Sequence, residues 1–185
     1  GVGPESRVGA GLSGSFPAMN LALICACEAI GAELTYIASV GASTYGANLP
    51  RLTFPDMALR LYTDALIGTP PAALSMGGAS DTGLDMDPSL SGEIRARLDR
   101  SDVPFLDIRD FSENLRARME IYAQGGPIDC FVGVGGSITT NGTGPSAPPH
   151  GILRGGTANE RSGLLEIYAE AGVPAIHIID IRKLV

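Results

Sequence analysis

Basic residues are scarce in this sequence: 13 Lys and Arg stand against 20 Asp and Glu, a formal net charge of −7. That balance excludes a broad cationic surface for gripping a polyanion, because nucleic-acid affinity comes mainly from neutralising phosphates. Nucleic acid is therefore not an expected partner. Local anion binding stays open, since backbone N–H groups at helix starts hold anions whatever the sign of the exterior. Cysteine is scarce too. Cys25 and Cys27 lie two apart on one apolar helical run and cannot face each other, and Cys130 stands alone. They offer neither a disulfide framework nor a zinc pattern and read as small buried thiols, so neither a metal nor a cofactor is expected. No apolar run reaches the roughly eighteen residues of a membrane helix, and the N-terminus lacks the basic-then-apolar order of a signal peptide. No membrane segment is expected in this chain. Histidine is limited to His150 and His177, which confines imidazole acid–base chemistry to two positions.

What is present is the composition of a folded domain. Of the 185 residues 44% are apolar and 18% charged, too apolar for a disordered chain and long enough to bury a core without staples. Short β-rich runs alternate with longer helical ones. Strands are predicted at Arg7 to Leu12, Leu34 to Val40, Ala72 to Met76, Val103 to Leu106, Ile128 to Val134 and Ala175 to Ile179. Helices are predicted at Pro17 to Ile30, Pro55 to Leu66, Ser89 to Asp99, Phe111 to Ala123 and Asn159 to Ala171. The alternation predicts a single α/β domain over residues 1–185, a doubly wound, Rossmann-like, mostly parallel sheet with helices on both faces. Starting at Gly1-Val-Gly-Pro and ending on Leu184-Val185 after a strand, the chain reads as a portion of a longer protein.

Two long stretches, Gly77 to Pro88 and Gly135 to Gly156, are rich in Gly, Ser, Thr, Pro and Asp and follow strands directly. Ligands of open α/β sheets bind outside the carboxyl ends of the strands, so a site is expected there. The first turn, Gly9-Ala-Gly-Leu-Ser-Gly-Ser-Phe-Pro-Ala-Met-Asn20, combines small residues with the hydroxyls of Ser13 and Ser15 before a helix start, a composition suited to a carboxylate or phosphate. Gly9, Gly11 and Gly14 meet the dinucleotide spacing, but the second strand ends on Ala38-Ser39-Val40-Gly41 without the acidic partner that a nicotinamide cofactor needs. The turns after the second and fifth strands add candidate ligand-binding groups at Ser39, Gly41, Ser43 and Asn48, and at Gly135, Gly136 and Ser137. Arg154 and Arg161 flank the last loop and are candidates for gripping an anion. Gly11-Leu-Ser13-Gly-Ser15 also approximates a nucleophile elbow, with Ser13 as nucleophile and His177 or His150 as base. Asp81, Asp85 and Asp87 read as a solvated loop, and Arg116 and Arg118, beside Glu113 and Glu120, as a charged outer helix face.

The segments Gly11-Leu-Ser-Gly-Ser-Phe-Pro-Ala-Met-Asn20, Ile37-Ala-Ser-Val-Gly-Ala-Ser-Thr-Tyr-Gly-Ala-Asn48 with Phe54-x-Asp56-Met57, Gly133-Val-Gly-Gly-Ser137 and Gly172-Val-Pro-Ala-Ile-His-Ile-Ile-Asp-Ile-Arg182 span nearly the whole chain. Together they resemble the bacterial poly-gamma-glutamate system proteins, a family with an additional membrane-proximal N-terminal part. The resemblance implies association with the synthesis, export, processing or anchoring of an anionic γ-linked glutamate polymer at or near the cell envelope. Other proteins of that system are implied partners. It implies no catalytic mechanism. The residues leave three readings: a binding domain holding carboxylates at the turns, a hydrolase or transferase on γ-glutamyl bonds, and a phosphosugar or nucleotide binder.

Overall fold

The first strand shows why the sheet forms where it does. In β1 (Arg7–Leu12), Val8, Ala10 and Leu12 enter one core, while Gly9 and Gly11 turn to the other face of the sheet. A Cβ at Gly9 would press on Ile128 and the Tyr122 ring, and one at Gly11 would come within 2.7 Å of Thr140 Oγ1. The Tyr122 hydroxyl completes the contact by donating to the carbonyl of Ala10 at 3.1 Å. Neighbouring strands supply both flanks: β2 (Glu33–Ser39) and β7 (Cys130–Val134) pair with β1 in parallel.

The computed structural model describes residues 1–41, 47–180 and 182. After β1 come α1 (Pro17–Ile30), β2, a small antiparallel pair β3 (Asn48–Leu49) and β4 (Leu52–Thr53), α2 (Phe54–Thr63), β5 (Ala73–Ser75), α3 (Pro88–Leu98) and β6 (Phe105–Leu106). The second half runs through α4 (Phe111–Tyr122), β7, α5 (Ile138–Asn141), β8 (Gly151–Leu153), α6 (Leu164–Glu170) and β9 (Ala175–Ile178). The main sheet has 7 strands in the order β6-β5-β2-β1-β7-β9-β8, parallel throughout except for β8 against β9. The expected Rossmann-like, doubly wound α/β architecture is therefore present. One core lies under α1, α2 and α3, around Ile24, Phe54, Ile94 and the even-numbered residues of β2 and β7. The other lies under α4 and α6, around Tyr122, Phe131, Leu164 and Leu165. Cys27 and Cys130 are buried in the first core, but Cys25, expected among the buried thiols, is exposed because it lies on the opposite side of α1. Among the described residues no helix is long and apolar enough to cross a membrane.

Three departures from the expected elements share a cause. Strand β8 and helix α5 lie inside what reads as one long loop, β3 and β4 form a hairpin, and α6 starts at Leu164 rather than Asn159. These elements have two to seven residues, too few for a hydrophobic period to register. Local chemistry fixes them instead. Asn159 N–H donates to Ser162 Oγ at 3.1 Å, holding the segment before α6 in a turn.

Helix α2 starts on a capping box: Thr53 N–H donates to the Asp56 carboxylate at 2.7 Å, and Asp56 N–H to Thr53 Oγ1 at 3.4 Å. Arg97 of α3 donates to both oxygens of Asp56, at 2.9 and 2.7 Å. Burial pushes the Asp56 carboxyl up, but the bonds from Arg97 and Thr53 outweigh it and hold the acid below its ordinary value. A depressed native value supplies stability above the unfolded value of about 4 and loses it as pH falls through the native one. The unfolding free energy of the wild type should thus exceed that of Asp56→Asn at pH 7, and the gap should shrink below about pH 4 when both are titrated with urea.

Candidate functional site

Strand order reverses between β1 and β7: from β1 the chain winds towards β6, and from β7 towards β8. The loops leaving such a pair diverge, which opens a crevice at the carboxyl edge. A cavity of about 430 Å³ lies there, lined by Ser13, Ser15, Ser39, Gly41, Gly136 and Ser137 of the expected site, and by Gly77 to Ala79, Asp85 and several residues between Ile138 and Ala147.

The turn after β1 is fixed by its backbone. Ser13 N–H donates to Val134 O at 3.1 Å, and the Ser13 carbonyl accepts from the fully buried Asn20 Nδ2 at 2.7 Å. Ser13 Oγ accepts from Ser15 N–H at 3.3 Å, which among the described residues leaves its own proton and the whole Ser15 hydroxyl uncommitted. No side chain caps α1, whose first turn holds Pro17 and no acidic residue. The N–H of Gly136 likewise makes no hydrogen bond among the described residues. These are the cavity's donors.

Several glycines expected to admit a ligand serve packing instead. Gly11 lies within β1, its open face filled by Thr140. Gly14 has both backbone groups spent, its N–H on Gly41 O and its carbonyl on Ala47 N–H, and a Cβ there would meet Val40 O at 2.3 Å. Gly135, at φ +84°, is the surface against which Ser13 Oγ rests. Gly41 lines the cavity, yet its N–H donates to Met76 O and its absent Cβ makes room for Gly78. The dinucleotide-like spacing of Gly9, Gly11 and Gly14 is thus a record of close chain approach.

The hydroxyls of the other two turns are committed inward. Ser137 caps α5, accepting from Thr140 N–H at 3.2 Å, and lies within 2.9 Å of Thr139 Oγ1 and 3.1 Å of Thr140 Oγ1. Ser39 Oγ touches Ser75 Oγ at 2.8 Å. Behind Ser75 is an ion pair absent from the sequence reading: Arg118 and Asp81 meet with side chains only 1% exposed. Asp81 had been expected in a solvated loop and Arg118 on an outer face. Asn114 Nδ2 donates to Asp81 at 3.1 Å and to Ile108 O at 2.9 Å, while its Oδ1 accepts from Arg118. Burial works against the charge of Arg118, but the Asp81 carboxylate holds the guanidinium above its ordinary value. Arg118 also donates to Ser75 Oγ at 2.9 Å, and the single Ser75 proton goes to Asp81 at 3.1 Å. Ser39 is then the donor in its contact with Ser75, and it turns lone pairs, not its proton, to other partners.

The remaining expectations divide. Ser43 and the side chain of Asn48 lie outside the described residues. Arg154 is exposed at the opposite edge of the sheet, because β8 runs antiparallel and its last residue, Leu153, pairs with Ala175 at the start of β9. Arg161 does not line the cavity either. Arg116 does lie outward, beside Glu113 at 3.8 Å. Asp87 is the cap of α3, accepting from Ser89 N–H, and Asp85 accepts from Ala79 N–H at 2.7 Å while lining the cavity.

Neither histidine hydrogen-bonds Ser13. His177 is fully buried, with Nδ1 2.8 Å from Pro148 O and Nε2 3.4 Å from Gly135 O. Both ring nitrogens face carbonyls, which only accept, and the shorter contact, at Nδ1, ties the long loop to β9. His150 Nδ1 accepts from the N–H groups of Ile179 and Asp180, at 3.3 Å each. Both rings are fasteners for the segment between β7 and β8. A larger cavity of about 650 Å³, between α4 and α6, is lined by Leu115, Met119, Ile128, Ile167 and Tyr168, near the amino ends of β7 and β9, and shares no lining residue with the switch-point cavity. Comparison with protein families, with curated proteins and with solved structures finds no match to this chain.

Proposed function

We propose that this protein is a binding domain of a bacterial poly-gamma-glutamate synthesis or export system, acting at or near the cell envelope beside the other proteins of that system. It holds a carboxylate of its ligand at the carboxyl edge of β1 and β7. The observation that carries this reading is the switch-point cavity, into which Ser13, Ser15 and Gly136 bring donors with no acceptor among the described residues. Hydroxyl and amide donors at the uncapped start of a 14-residue helix suit an anionic oxygen. Nothing in the placement of His150 or His177 supports Ser13 as a nucleophile, since each ring is engaged by backbone groups elsewhere.

Calorimetric titration with γ-linked triglutamate tests this. Saturable binding is expected, weakened about tenfold by the double substitution Ser13→Ala, Ser15→Ala. Poly-gamma-glutamate incubated with the protein should keep its length. Shortening by the wild type and not by Ser13→Ala would replace the reading with a hydrolase. Binding of a sugar phosphate with no response to triglutamate would replace it with a phosphate binder.

A further inference from the structure

The cavity is not uniformly suited to anions. Among the described residues no Lys or Arg lines it, and Asp85 does, with one carboxylate oxygen on Ala79 N–H and the other without a hydrogen-bond partner among those residues. Ser39 offers lone pairs only, because the ion pair behind Ser75 draws its proton inward. Two acceptors, on Asp85 and Ser39, therefore line the same space as the donors of Ser13, Ser15 and Gly136, and an acceptor left unmatched in a filled cavity loses its water without compensation.

An interior stretch of a γ-glutamate polymer answers this poorly. It would add carboxylates beside Asp85 with no cation in the lining to offset them, on a protein whose net charge is already −7. The amino-terminal residue of such a chain differs: its ammonium carries three donors and a positive charge one carbon away from its α-carboxylate. We infer that the cavity recognises a zwitterionic α-amino acid group, taking the ammonium at Asp85 and Ser39 and the carboxylate at Ser13, Ser15 and Gly136. The ligand is then a free amino acid or the amino-terminal end of a γ-glutamyl chain. This rests on the switch-point cavity being the binding site, as proposed above, and specifies which part of the ligand enters it.

The test compares γ-linked triglutamate carrying a free amino terminus with its N-acetyl derivative, in L and D forms, by calorimetry on the whole chain at physiological salt. The free amine should bind at least about tenfold tighter, the worth of a charge-assisted bond. Asp85→Asn keeps an oxygen for Ala79 N–H and so spares the loop, and it should bring the two affinities together. Equal binding of both peptides with no effect of Asp85→Asn would overturn the zwitterion assignment and leave the carboxylate site standing. Failure of both peptides to bind would overturn the carboxylate site and the assignment with it. Preference for the free amine that survives Asp85→Asn would overturn the role of Asp85 and place the ammonium elsewhere.

Discussion

Arg118→Met should cost the protein about 3–5 kcal/mol, because it strands the Asp81 carboxylate in a space where neither water nor another cation reaches it. That is a large part of the stability of a domain this size, about 5–15 kcal/mol. The loss should appear in urea unfolding as an earlier midpoint with little change in slope. The pair also holds a strained turn. Ser80 and Asp81 both have positive φ, 53° and 61°, a conformation costing side-chain-bearing residues roughly 1–2 kcal/mol each. Arg118 and Asn114 of α4 and Ser75 of β5 grip the Asp81 carboxylate from two elements and keep it there. Adding Asp81→Asn to Arg118→Met should recover part of the loss, since the stranded charge is gone. An unchanged midpoint in Arg118→Met would mean that the ion pair contributes nothing net.

Gly135→Ala should be nearly as damaging, at about 2–4 kcal/mol. Its φ of +84° disfavours any side chain, and the new Cβ would lie 2.0 Å from Ser13 Oγ and 3.2 Å from Ser13 Cβ. Thermal unfolding should show a fall of roughly 10 °C. Ser13→Ala removes the nearer of the two contacts, so the double variant should be more stable than the sum of the single effects implies. Strict additivity would mean that the turn after β7 moves away freely and that Gly135 does not set the position of Ser13.

These two sites show where sequence reasoning ran out. The strands were legible because a sheet covered on both faces writes continuous apolar runs, as in Cys130–Val134. Helix α1 was legible at both ends, with Pro17 at its first position and Gly31 in a left-handed cap after it. Placement of Ser13, Ser15 and Gly136 at the carboxyl edge followed from the alternation of elements alone. The orientation of Ser39 did not, because it depends on Arg118, Asp81 and Ser75 meeting across three separate elements. Arg118 itself left a signal: it lies three residues after Leu115 and four before Tyr122, both buried, on the inward stripe of α4. Arg154 was misplaced for a topological reason, since nothing in a three-residue strand announces that it runs backwards.

That reversed strand has a further effect at the rim of the molecule. The sheet ends on β6, two residues long, and on β8, three residues long. Each margin therefore exposes only a few unpaired backbone groups, and Arg95 lies over the Phe105 ring, 5.4 Å from its centre, at one of them. A strand from another copy finds no template of useful length on either side, so the molecule resists the edge-to-edge pairing that turns apolar sheets into aggregates.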